Sequence, residues 1–201
     1  MKPGLYFLLV SFIWICTTAA SAQEVETKLD EAQSAYREGN LEAARFALQQ
    51  AMNEIDLAIG REVLGLLPAN MGQMAMVETD DQVGSAGMGF AGLYVQRNYR
   101  SDGDSSADLQ ILADSPLLAG INAILALPSF VSDANQKRIR VGNYRSLLQK
   151  SENSAGLVTW DVQVPFGSSL LTLQVKGADS EQAVIDMANT IPVDQVARLI
   201  Q

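Results

Sequence analysis

Hydrophobic residues recur with two different periods along this chain, and the change of period near residue 70 divides it. From Val25 to Glu38, and again from Leu41, the pattern is helical. In the second segment Leu41, Ala44, Leu48, Ala51, Ile55, Ile59, Val63 and Leu66 step by three or four residues, which puts them on one helix face. Gly39-Asn40 separates the two segments, as glycine does just past a helix end, and Pro68 stops the second.

Beyond residue 90 the period becomes two. Phe90 to Tyr99 sets Leu93 and Val95 against Tyr94, Gln96 and Asn98. Residues 101–106 (SDGDSS) form a turn, and Asp108 to Ala113 alternates again. Ser115-Pro116 opens a helix from Leu117 to Leu127 that is apolar on all sides, and Pro128 closes it. Such a helix is expected to be fully buried or to face an apolar ligand or partner. Strands follow at Arg138 to Val141, Tyr144 to Lys150, Leu157 to Val164 and Ser169 to Lys176. Val158, Trp160, Val162 and Val164 are expected inward, matched by Leu171, Leu173 and Val175. Ser180 caps a helix over Glu181 to Asn189, and Pro192 begins a last short helical turn.

This order defines an α+β fold. An N-terminal helical hairpin precedes an antiparallel sheet of about five or six strands with helices packed on it. The expected division is a leader at 1–22, the hairpin at 23–69, a linker of turn residues at 70–89 and the sheet domain at 90–201.

Two resemblances accompany this reading. Ala35-Tyr36-Arg37-Glu38-Gly39-Asn40-Leu41-Glu42-Ala43-Ala44-Arg45, with Ala51 beyond it, resembles the turn of a tetratricopeptide repeat. That resemblance implies closely packed helices and, in stacked arrays, a peptide-binding surface. It covers about 30 residues and has no second copy, whereas such arrays need about three repeats to bury a continuous core. The sheet domain, ending in Ile191-Pro192-Val193-Asp194 after a strand pair, resembles the PsbP/Mog1-type domain in element order. The resemblance implies a binding or assembly role and no shared active site.

The first 22 residues place the chain in a compartment. Lys2, the apolar run Leu5 to Cys16 and the small residues ending in Ala20-Ser21-Ala22 form a secretory signal pattern. The run is shorter than the roughly 20 residues of a membrane span. Cleavage after Ala22 would start the mature chain at Gln23 and remove Cys16, leaving a periplasmic or secreted protein without cysteine or a stable membrane span.

Charge narrows the partners. With 14 Lys and Arg against 23 Asp and Glu, the net charge is −9. That argues against nucleic acid or an anionic membrane as partner. The sequence has no histidine, so Ser-His and Cys-His dyads and histidine zinc sites are not available. No cofactor and no resident metal are expected.

The remaining candidates each have a structural alternative. Gly84, Gly87, Gly89 and Gly92 lack the following helix and lysine of a phosphate cradle. Met71, Met74, Met76 and Met88 have the softness for Cu(I), but methionine also fills gaps in cores. Lys137, Arg138, Arg140, Arg145 and Lys150 concentrate positive charge, with Arg138 and Arg140 on one strand face. That suits an acidic partner, or simply guards a sheet edge. Asp108, Asp114 and Asp161 could act as paired carboxylates only if about 5–9 Å apart. Asn122 is the one strongly polar side chain of the apolar helix; it either ties that helix to a backbone or marks a pocket mouth.

The sequence reads best as an exported, non-enzymatic protein-binding or scaffold protein. Its candidate partner-binding residues are Tyr36, Arg45, Arg138, Arg140 and Arg145. The expected partner is another envelope or secreted protein, or a second copy of itself. The alternative is a carrier of a small apolar ligand under the 117–127 helix, with Asn122 at the pocket.

Overall fold

A computed structural model describes residues 16–85, 92–126, 135–154 and 156–200. The chain divides into two compact units, Met1–Ala58 and Ile59–Gln201.

The first unit is a helical hairpin. Helix α1 covers Cys16–Arg37 and α2 begins at Leu41, running to Leu66 in the second unit. Gly39, at φ +77°, makes the turn between them. Asn40 caps α2 by accepting from the Ala43 amide at 3.1 Å. The buried positions of the hairpin include Ala32, Ala44, Ala47 and Ala51, small side chains that suit close helix approach. The expected apolar stripe is therefore split. Ala44 and Ala51 are covered, but Leu41 (65 %), Leu48 (48 %) and Ile55 (45 %) remain exposed. The stripe is wider than the strip this alanine face covers.

The second unit is built on an antiparallel sheet with nine strands among the described residues, more than the five or six expected. Its long strands are β4 (Tyr94–Arg100), β5 (Ser106–Leu112), β6 (Gln136–Val141), β7 (Tyr144–Glu152), β8 (Val158–Phe166) and β9 (Ser169–Lys176). The surplus comes from the expected linker. Residues 70–84 carry β1 (Asn70–Met71), β2 (Met74–Met76) and β3 (Gln82–Gly84), and both β2 and β3 pair with β4. The path runs β1-β2-β4-β5-β9-β8-β7-β6. The β6-to-β9 meander thus returns its last strand beside β5. Strand β8 runs through Pro165 to Phe166, so the turn to β9 starts at Gly167, two residues later than expected.

One face of the sheet holds the core. Val95, Tyr99, Leu109, Ile111, Val162, Val164, Leu171, Leu173 and Val175 are all fully buried there, as strand alternation predicts. Helices α4 (Glu181–Asn189) and α5 (Val193–Ile200) contribute Val184, Ala188, Val193 and Val196 to the same cluster. Ser180 caps α4, accepting from the Ala183 amide at 3.2 Å. Val63 in the last turns of α2 and Leu67 just beyond its end join them.

Arg97 fixes this end of α2. Its Nε donates to Asp81 Oδ1 at 3.0 Å, and its Nη1 donates to the carbonyls of Leu64 and Leu67 at 3.0 and 3.2 Å. Both carbonyls lie at the helix end, where intrahelical amide partners run out, and Leu64 O accepts from the Leu67 amide as well, at 3.2 Å. The hydrogen bonds that Arg97 donates to Asp81 raise the guanidinium pKa above its ordinary value. Beside it, Tyr99 donates to the Pro68 carbonyl at 2.9 Å. Burial pushes that phenol up to about 12.

The opposite, outer face is partly covered. Helix α3 (Leu118–Ala126) connects β5 to β6 and packs on β7 and β8. Of its residues only Ile121 is buried, which corrects the expectation of a fully buried helix. Its small residues Ala119, Gly120, Ala123 and Ala126 are exposed, as is Leu117 at 61 % just before it. A helix lying on a sheet buries one side only, and alanine and glycine offer little area to drive deeper burial.

Candidate functional site

The expected site residues fall into two groups. Tyr36 and Arg45 belong to the hairpin. Arg138, Arg140, Arg145 and Asn122 come together on the outer face of the sheet.

On the hairpin, Leu41, Leu48, Met52 and Ile55 of α2 are spaced by seven, four and three residues, and each is at least 45 % exposed. This is the seam spacing of a coiled coil, in which such a row inserts into a facing helix. Arg45 occupies the one seam position that breaks the apolar row. Leu29 and Tyr36, seven residues apart on α1, are 47 % and 68 % exposed. Bordering the row, Arg45 and the exposed Phe46 line a shallow depression of about 550 Å³ with Asn40, Glu42, Ala43 and Gln49. Leu41, Leu48 and Ile55 belong to the apolar stripe legible in the sequence and are its exposed members, whereas Met52 lies outside that stripe.

On the sheet, the five clustered basic residues separate by strand parity. Lys137 and Lys150 point to the core side. There Lys137 pairs with Glu181 of α4, and the Lys150 ammonium lies 5.6 Å from the centre of the Trp160 ring. Arg138, Arg140 and Arg145 are on the outer face, with Arg140 directly opposite Arg145. The β6–β7 turn that brings these strands together is anchored from the core side. The Gly142 amide donates to Asn189 Oδ1 at 2.9 Å, and Asn143 Nδ2 donates to Asp194 Oδ2 at 3.3 Å.

Asn122 is exposed rather than buried. It lines an open groove of about 350 Å³ with Leu125, Ala126, Arg145, Pro165, Phe166 and Gly167. The groove lies at the end of α3 and is polar enough to differ from the enclosed apolar pocket expected beneath that helix.

The rest of the outer face is a polar row across five strands. Asn98, Asp108, Gln174, Asp161 and Gln149 are successive cross-strand neighbours from β4 to β7. Asp108 pairs with Arg100 at 2.7 Å, and Gln174 donates to Asp161 at 3.1 Å. Asp108 and Asp161 are thus two strand spacings apart, about 9.6 Å, with Gln174 between them. Asp114 stands apart in a turn, at φ +50°.

The remaining candidates resolve by burial. Met71 and Met74 are core residues, 0 % and 3 % exposed, and Thr190 Oγ1 donates to the Met71 sulfur at 3.8 Å. Both belong to the hydrophobic core cluster. Met88, Gly87 and Gly89 lie outside the described residues, as do residues 1–15 of the expected leader. Among the described residues no group of three or more Asp, Glu or Cys side chains is placed to hold a metal ion.

No family model, no curated protein and no solved structure matches this chain. The functional reading therefore rests on its own surfaces.

Proposed function

We propose that the chain is an exported, non-enzymatic binding protein whose hairpin seats an amphipathic helix of another protein. The observation that carries this reading is the solvent-facing row Leu41, Leu48, Met52 and Ile55. Such a row gains most by packing against a helix with a matching seam. Charge selects the rim of that partner. Residues 23–58 carry eight acidic and three basic side chains, so a helix flanked by Lys or Arg is complementary and a second acidic hairpin is not. The resemblance to a tetratricopeptide turn agrees with a helix-lined seat.

The test uses two synthetic amphipathic peptides with the same leucine seam, one rimmed by lysine and one by glutamate. Anisotropy should show binding of the lysine-rimmed peptide alone. Leu48→Glu/Met52→Glu, at two exposed positions, should weaken it about tenfold or more, since each change puts a charge into the apolar seam. Equal binding by parent and variant would refute the seat. A stable dimer in sedimentation, lost in the same variant, would replace the foreign helix by a second copy.

Export has its own check. Protein recovered from the cell that makes it should begin at Gln23 on N-terminal sequencing. Recovery with Met1 retained would remove the exported part of the proposal and leave the hairpin untouched.

A further inference from the structure

We infer that the outer face at the β6 edge, together with α3, is a docking surface for a bilayer of anionic phospholipid. The arginines are the first ground. Arg138 and Arg140 alternate on β6, about 6.8 Å apart along the strand. Arg145 stands directly opposite Arg140. Like charges directly opposed across a sheet are destabilising. Yet none of the three has an ion-pair partner among the described residues, whereas Lys137 on the other face of β6 is paired with Glu181. Guarding an edge against strand pairing requires charge on β6 alone. Arg145 lies one strand further in, and that role does not explain it.

Helix α3 is the second ground. No charged residue occurs from Ser115 to Ala126. Leu117 is exposed and Ile121 is the only buried residue of α3. Arg145 meets this helix in the groove shared with Asn122, Leu125 and Ala126. A charge-free helix bordered by arginines can settle into the headgroup layer without desolvating an ionised group, while the arginines meet phosphates. An acidic protein segment would satisfy the arginines and leave α3 uncovered. The net charge of −9 opposes approach, but charges are screened over about 8 Å at physiological salt, so the local arginines govern contact. Among the described residues no helix is long and apolar enough to cross a membrane; the contact inferred is interfacial.

The test is flotation of the intact chain, as recovered from its cells, with vesicles of phosphatidylcholine alone or with about 30 mol% phosphatidylglycerol. Binding should require the anionic lipid and fall with added salt. Arg138→Gln/Arg140→Gln/Arg145→Gln should lower the bound fraction about tenfold or more. Leu117→Glu, at an exposed position that keeps every arginine, should lower it as well. Thermal melts followed by circular dichroism establish that both variants fold. Leu48→Glu/Met52→Glu should float like the parent, which separates this surface from the hairpin. No binding by the parent, equal binding to neutral vesicles, or unchanged binding by both folded variants would overturn the inference.

Discussion

Arg97→Met should destabilise the sheet unit by about 3–5 kcal/mol, the cost of breaking a buried ion pair by removing one partner. The Arg97 and Asp81 side chains are only 8 % and 12 % exposed. Methionine keeps the bulk of the stem but leaves the Asp81 carboxylate buried without its counter-charge. It also leaves the Leu64 and Leu67 carbonyls without the guanidinium donor at the end of α2. Denaturant unfolding measures the loss as a lower midpoint at unchanged slope. The companion variant Arg97→Met/Asp81→Ala should recover more than half of it, because the uncompensated charge is gone while the two carbonyls still lack the guanidinium donor. Arg97→Lys should not rescue, since an ammonium cannot fork onto a carboxylate and also reach two carbonyls. An Arg97→Met protein within about 1 kcal/mol of the parent would show that the clamp does not fix α2.

Strand parity explains what was legible in the sequence and what was not. Where six or more residues alternate, each side chain's face follows from its neighbours. Val162, Val164, Leu171, Leu173 and Val175 all lie where alternation puts them. The same rule separates Lys137 from Arg138 and Arg140, and so divides the basic cluster between two faces. It also places Arg97 inward between Val95 and Tyr99, a signal present in the sequence that a search for exposed chemistry passes over. Strands β1 to β3 have only two or three residues each. No period can be read from so few, and their pairing with β4 comes from tertiary contact. Helix α3 misled for a different reason. Mean apolarity predicts burial only when the apolar residues are large, and here alanine and glycine make up much of the exposed side. The hairpin seat was half legible. The stripe could be read, but which part another helix covers depends on how closely the alanines let the helices approach.

Two glycines in the same helix should respond to alanine with opposite signs. Gly60 and Gly65 both lie inside α2, where glycine is less favourable than alanine by about 1 kcal/mol. Around Gly65 an added Cβ meets nothing within 4 Å. Gly65→Ala should therefore stabilise by up to about 1 kcal/mol, less near a frayed helix end. At Gly60 the same Cβ would run into the Val83 side chain on β3 and approach Leu93 Cδ1 to 3.0 Å. Val83 is β-branched and has little freedom to turn aside. Gly60→Ala should accordingly cost about 1–3 kcal/mol despite its better helix propensity, because α2 must lift from the sheet or β3 must move. If close approach is the cause, Val83→Ala opens the space, and Gly60→Ala in that background should be neutral or stabilising. The coupling between the two changes should then exceed about 1 kcal/mol, the range found for side chains in direct contact. Four melting or denaturant curves, for the parent, each single variant and the double variant, decide it. Additive losses would mean that contact with Val83 is not what excludes a side chain at Gly60. A strong coupling would mean that the absence of a side chain at Gly60 is what lets the far end of a 26-residue helix lie against the sheet that Arg97 then fastens.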